Sequence, residues 1–310
     1  MLLNELKSIN GITNIRTPFT DFGIQKGEPF SIYAKNNVNS VNLNTELSIE
    51  KAPEEDMEVI AHRGYCVDAP ENTLPAYIEA AENGFDKVEC DVSWTKDGVP
   101  VLLHDTTINR TARHKNGWKL FFSRKCSDMK YKDLLKLDFG IWKGKEYKGT
   151  KIPTFSEFAD CCSENGLSPY VELKQDSKFD LEKAKILVDA IKEAGLEDKV
   201  TWISFNPEYL KMINQLMPDC RLGYLSSDKP SAKTIATLQS LKTDDNEVFL
   251  DVKSTVMDKA SSEMVEKAGF SFEAWTVDDE SELDKLQDYD CKGITTNTLT
   301  ESDVDKYLED

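Results

Sequence analysis

Two of the three histidines in this 310-residue chain close short apolar stretches. MEVIA runs into His62-Arg63-Gly64, and VPVLL runs into His104-Asp105. Charged residues stand in comparable places further on. Glu89 and Asp91 flank Cys90 in KVECD, and Glu172 and Lys174 flank Leu173 in YVELK. In an extended strand this alternation points both charged side chains to one face. Burying so many charges is costly without a ligand or metal to compensate them. Three carboxylates with no cysteine or histidine cluster suit one hard divalent cation, Mg2+ or Ca2+. Beside that cation, Arg63 and Lys174 would stabilise negative charge on a phosphate. His62 and His104 can divide proton transfer between them as base and acid. Metal-assisted cleavage of a phosphodiester is the chemistry that uses all of these groups. Gly64 would leave room for the backbone to approach the bound group. Trp275, at the end of SFEAWT, belongs either to the core or to the substrate end. Asp105 either holds the His104 tautomer or caps a turn. His114, in a basic loop, reads as surface.

These residues lie far apart in sequence, so the fold must gather them. From Met57 onward, strand-length apolar runs alternate with helical patterns. The expected strands are 58–61, 87–91, 170–174, 200–205, 221–225, 247–252, 271–276 and 293–296. Helical patterns such as NTLPAYIEAAENG and FDLEKAKILVDAIKEAG lie between them, several ending in the glycine that stops a helix. Eight such units predict an α/β fold, a (β/α)8 TIM barrel, whose strands converge at their carboxyl ends on one mouth. An open doubly wound sheet is the rival, but no G-x-G-x-x-G follows the first strand.

Two stretches break the rhythm. In KVECDVSWTKDGVPVLLHD, Asp97-Gly98 predicts a two-residue hairpin turn that pairs Lys96 with Val99. That register sets Asp91 opposite His104. Residues 106–153 then show no β/α unit and are rich in basic and aromatic residues. They read as a small insertion after the second strand, shaping the mouth. Residues 1–56, rich in Asn, Ser and Thr, read as an irregular N-terminal extension, either an arm or attachment segment or a flap packed on the barrel.

A net charge of −18 argues against broad nucleic-acid binding, though not against a small anionic substrate. No apolar run reaches the roughly 18–20 residues that span a bilayer. The first residues show neither a signal-peptide apolar region nor a small-residue cleavage site, so a cytoplasmic location is the default, with non-classical export or surface display left open. Seven cysteines without a C-x-x-C pattern read as free thiols. Oligomeric state is not legible.

From about Met57 to its end the chain resembles the glycerophosphodiester phosphodiesterase family. The resemblance is carried by HRG (62–64), PENT (70–73), ECD (89–91), TKDGVPVLLHD (95–105), INRTA (108–112), IPTFSEF (152–158), VELK (171–174), WTV (275–277) and GITTN (293–297), in matching order. It implies a barrel with an insertion after the second strand. It also implies hydrolysis of glycerophosphodiesters to an alcohol and glycerol 3-phosphate with a divalent metal. Carried over by motif, His62 and His104 look like the acid–base pair, and Glu89, Asp91 and Glu172 look like metal ligands. Arg63 and Lys174 look like phosphate contacts, with Trp275 lining the substrate end. In PENT, Asn72 or Thr73 would cap the first helix while Glu71 ties down the loop carrying Arg63. Many members carry an acid after the threonines where this chain has Asn297, so no substrate contact is assigned there. The substrate would be a small glycerophosphodiester or a glycerol-phosphate polymer. A phospholipase D-like or lyase activity yielding a cyclic phosphate, and a non-catalytic binding module, are the competing functions.

Overall fold

The computed structural model describes residues 57–175 and 178–309. The N-terminal extension expected over residues 1–56 lies outside the described residues. Eight parallel strands are present: β1 (Glu58–Ala61), β2 (Lys87–Trp94), β4 (Ser168–Leu173), β5 (Thr201–Ser204), β6 (Arg221–Ser226), β7 (Glu247–Lys253), β8 (Phe272–Trp275) and β9 (Gly293–Thr296). They hydrogen-bond in the order β1-β9-β8-β7-β6-β5-β4-β2, and β2 pairs back with β1 to close the barrel. Antiparallel β3 (Pro100–Leu102) hangs on the outer edge of β2.

Helices α1 (Leu74–Glu82), α3 (Phe155–Asn165), α4 (Leu181–Glu193), α5 (Pro207–Leu216), α6 (Ala232–Leu241), α7 (Lys259–Lys267), α8 (Leu283–Asp288) and α9 (Glu301–Glu309) connect or follow the strands; a single turn, α2 (Tyr131–Leu134), lies in the insertion. Local chemistry sets their ends. Thr154 and Glu157 form a reciprocal capping box at α3, and Asp180, Asn206 and Asp258 accept backbone N–H groups at the starts of α4, α5 and α7.

Strand periodicity divides the apolar residues into two layers. Val88, Cys90 and Val92 of β2, with Val171 and Leu173 of β4, face outward into the helix layer beside Phe155, Phe158 and Trp202. Ile60, Tyr170, Ile203, Leu225 and Phe249 face inward and fill the barrel. A Cβ on Gly223 would lie 2.6 Å from Phe249, so the absent side chain is the space that lets this ring cross the barrel. Glu89, Asp91 and Glu172 share the inward parity.

The hairpin corrects the expected register by one residue. Trp94 pairs with Pro100 and Val92 with Leu102, so Asp91 faces Leu103 rather than His104. The turn holds three residues instead of two: Thr95 N–H donates to Val99 O at 3.0 Å, and Gly98 takes φ 78°. Thr95 Oγ1, which accepts from Val99 N–H and donates to Asp97, favours this longer loop. His104 still reaches the mouth because it lies beyond the end of β3, free of the ladder.

The insertion has a core of its own. Val101, Leu103, Ile108, Ala112, Cys126, Leu134, Leu137, Phe139 and Ile152 pack together. Buried Asp138 organises it by accepting backbone N–H groups from Gly140, Ile141 and Gly149. The signal missed in the sequence is spacing: these apolar residues follow neither a strand nor a helix period, because short turns present them.

Opposite the mouth, Arg221 closes the amino end of the barrel. It pairs with Glu273 at 2.6 Å, Glu247 at 2.9 Å and Glu58 at 3.4 Å, and its guanidinium lies 4.5 Å from the Phe249 ring centre. Glu273 is fully buried, and losing its partner would leave an uncompensated charge. We predict that Arg221→Ala destabilises the fold by about 3–5 kcal/mol in equilibrium denaturation.

Candidate active site

Burial makes Glu89 and Asp91 the most constrained groups of the mouth. Glu89, Asp91 and Glu172 offer oxygens that all lie within 4.8 Å of one another. Asp91 is fully buried and has three partners. Lys174 Nζ lies 3.1 Å from Oδ1, Arg63 Nε lies 3.2 Å from Oδ2, and Asn72 Nδ2 donates to Oδ2 at 2.6 Å. Burial opposes ionisation of Asp91, but Lys174 and Arg63 outweigh it and hold the carboxyl below its ordinary range. Glu89 and Glu172 shift the other way: burial, and then repulsion from Asp91, raises both. Fully ionised, the three carboxylates would outnumber the two cations beside them, Lys174 and Arg63, and repulsion from Asp91 is part of what raises the two glutamates. All-oxygen donors and close spacing fit a hard divalent cation.

Arg63 links the cluster to the first loop. Its backbone N–H donates to Glu89 at 3.0 Å, and Nη1 donates to Glu71 at 2.9 Å, the tie expected for that acid. Arg110 extends the link by bridging Glu71 and Asp105. One expectation for this loop is corrected. Neither Asn72 nor Thr73 caps α1 with its side chain: Thr73 sits at the N-cap position, but its hydroxyl donates to Pro70 O. Asn72, at φ 54°, instead clasps Asp91 through both side chain and backbone and accepts from Tyr77. Gly64, at φ 79°, is required by α1, since a Cβ there would meet the Ala76 backbone at 2.7 Å.

The two histidines are held alike. His62 follows β1, and its backbone N–H donates to Thr296 of β9. Its Nδ1 lies 2.7 Å from Asn297 Oδ1, while Asn297 Nδ2 donates to Asp278 at 2.8 Å. That second bond fixes the amide orientation, so Oδ1 is the atom facing the ring and Nδ1 carries the proton. Nε2 is left as the acceptor, 4.0 Å from Glu89. Burial, followed by the charge of Arg63, lowers the His62 pKa to about 4. His104 Nδ1 donates to the Asp105 carboxylate at 2.8 Å, and Arg110 steadies that carboxylate. Asp105 therefore holds the histidine rather than capping a turn. His114 lies exposed in the insertion.

A cavity of about 220 Å³ unites these groups. His62, Arg63, Glu89, His104, Glu172, Lys174 and Trp275 line it. Asp91 lies directly beneath, bonded to Lys174 and Arg63. Trp275 forms part of the wall, with its indole N–H on Asp251 O and its ring edge-on to Phe205 at 5.6 Å. Two residues escaped the sequence reading. Asn297 anchors His62; its position directly after the last strand was the available signal. Asp251 also lines the cavity, is 1% exposed, and has an Oδ1 with no hydrogen-bond partner among the described residues. Its shared parity with Phe249 in EVFLDV marked it as inward-facing.

Comparison with known proteins follows the same lines. Residues 62–301 match the Glycerophosphoryl diester phosphodiesterase family. A glycerophosphodiester phosphodiesterase of Bacillus subtilis is 28% identical over 252 residues, covering 77% of this chain and 82% of that protein. One from Caldanaerobacter subterraneus is 34% identical over 167 residues, 54% of this chain and 65% of that protein. Among solved structures, a phosphodiesterase from Oleispira antarctica in complex with the product sn-glycerol-3-phosphate superposes with a TM-score of 0.72 at 29% identity, covering 82% of this chain and 97% of that one. The barrel, the carboxylate cluster and these matches agree: the chain belongs to the glycerophosphoryl diester phosphodiesterase family of hydrolases.

Proposed function

We propose that the cavity hydrolyses glycerophosphodiesters to an alcohol and glycerol 3-phosphate, with one Mg2+ or Ca2+ held by Glu89, Asp91 and Glu172. The carrying observation is two imidazoles, each tied at Nδ1, beside a buried three-carboxylate cluster in one cavity. When bound, the cation would polarise the phosphoryl oxygens and offset the charge that develops on them. Arg63 and Lys174 orient the phosphate from the same side. His62, bare at Nε2, takes the proton of the attacking water as the new O–P bond forms. His104 delivers a proton from Nε2 to the departing alcohol oxygen as the old P–O bond breaks.

The anchors sort the two roles. Asn297 accepts the His62 Nδ1 proton in a hydrogen bond and leaves Nε2 bare, as a general base requires, whereas Asp105 orients the His104 ring through its Nδ1–H. Trp275 and Phe205 wall the cavity, and the unpartnered Asp251 oxygen suits a glycerol hydroxyl. The sn-glycerol-3-phosphate held by the Oleispira phosphodiesterase supports a substrate of this size.

With Mg2+ or Ca2+, purified protein is expected to release glycerol 3-phosphate from glycerophosphocholine or a related diester. A chelator should abolish turnover, and His62→Ala should lower kcat by roughly 10²–10⁴. Phosphorus NMR of the product reports the competing activity, because a cyclic phosphate resonates apart from a monoester. Turnover of no glycerophosphodiester at all by the wild type would sink the reading.

The amide anchor is testable separately. Asn297→Leu leaves the His62 Nδ1 proton without its acceptor, and kcat is expected to fall by roughly 10² with KM little changed. An unaltered kcat would remove Asn297 from the mechanism.

A further inference from the structure

The insertion carries apolar surface that its own core does not use. Trp118, Phe121 and Phe122 are 69%, 89% and 77% exposed, the three most exposed large apolar side chains among the described residues. They do not sit on a frayed segment. His114 N–H donates to Trp118 O and Gly117 N–H to His114 O, which closes a tight turn. At the loop's base Thr107 pairs with Lys125, and Ile108 N–H donates to Arg124 O. Asn109 clamps the tip by donating to Phe122 O and accepting from Arg124 N–H. Leu120 packs down onto the insertion core while Trp118, Phe121 and Phe122 stand out in solvent. The backbone is therefore built to present these rings.

The surrounding charge is equally one-sided. No acid occurs between Asp105 and Asp128, while Arg110, Arg113, Lys115, Lys119, Arg124 and Lys125 fall in that interval of a chain whose net charge is −18. Arg110 is paired with Glu71 and Asp105, and Arg113 donates to backbone carbonyls. Lys115, Lys119, Arg124 and Lys125 are exposed. This is a local cationic tip on an acidic protein.

We propose that the Trp118–Phe122 loop docks this enzyme on an anionic phospholipid surface, its rings entering the interface while Lys115, Lys119, Arg124 and Lys125 meet lipid phosphates. A soluble polyanion would satisfy the cations but offers nothing apolar to cover two phenyl rings. A rigid protein partner would need a pocket shaped to these three exposed rings, whereas a fluid bilayer receives them without one. Tryptophan and phenylalanine with flanking lysines are the side chains that settle at a headgroup boundary, and each cation adds attraction to an anionic leaflet. The loop's base starts two residues after Asp105, so docking holds the cavity close to the surface. No helix among the described residues is long and apolar enough to cross a membrane, so attachment through this loop would be peripheral.

The full chain should be tested by flotation with phosphatidylcholine vesicles and with phosphatidylcholine–phosphatidylglycerol vesicles, at low and high salt. The expected result is binding to the anionic vesicles, weakened by salt, and reduced at least roughly tenfold by Phe121→Ala/Phe122→Ala and by Lys115→Glu/Lys119→Glu. Hydrolysis of a water-soluble diester should be unchanged in both double variants, which separates loss of docking from loss of fold or activity. Tryptophan emission should shift to the blue on adding anionic vesicles to wild type, and less so with Trp118→Phe. Absence of vesicle binding by wild type overturns the proposal. So does binding that both double variants retain. Acrylamide quenching without lipid that is equal in wild type and Trp118→Phe would mean the loop is already covered in the full chain, and would overturn it too.

Discussion

Three carboxylates that repel one another are held with oxygens within 4.8 Å of one another inside a barrel, and most features of the mouth answer that constraint. Only the inward parity of β2 and β4 can bring Glu89, Asp91 and Glu172 so close. Lys174, on the same parity as Glu172, brings an ammonium between two of them. Arg63, whose backbone and side chain both reach the cluster, supplies the second cation. The positive φ values at Arg63 and Asn72 belong to this arrangement, since they aim one residue at Glu89 and the other at Asp91. Local strain of this sort persists where surrounding contacts over-determine it.

Much of this was legible because barrels convert sequence order into spatial order. All eight strands appear where the apolar runs placed them, within a few residues at each end, because burial on both faces leaves an unmistakable signature. The eight residues proposed from strand ends gather at the mouth: seven line the cavity, and Asp91 lies beneath it. Convergence at the carboxyl ends does not depend on exact register. The hairpin shows the complement. Its register did depend on one turn, and Thr95 moved that turn by a residue. The hairpin does return His104 to the site, with its register shifted by one residue.

What the sequence hid was of one kind: contacts between residues whose pairing only the closed fold creates. Asn297 and His62 are neighbours because β9 lies beside β1 across the barrel seam. Gly64 reads as a ligand-side glycine, and only the fold shows that α1 occupies the space behind it. The insertion's core has no period to detect. In each case residue type was informative, and the partner was not.

The two imidazoles follow strands that feed different hydrophobic clusters. His62 rides on β1, inside the barrel's own hydrophobic layers, whereas His104 directly follows Leu103, a member of the insertion's small core. The Glu71–Arg110–Asp105 bridge ties them together, beside the β2–β3 ladder and the bond from Leu103 N–H to Asp91 O. Chemistry that needs both rings at once therefore depends on both clusters staying packed. A molecule whose insertion has opened locally would keep its barrel, its circular dichroism and its acidic cluster, and yet stand idle.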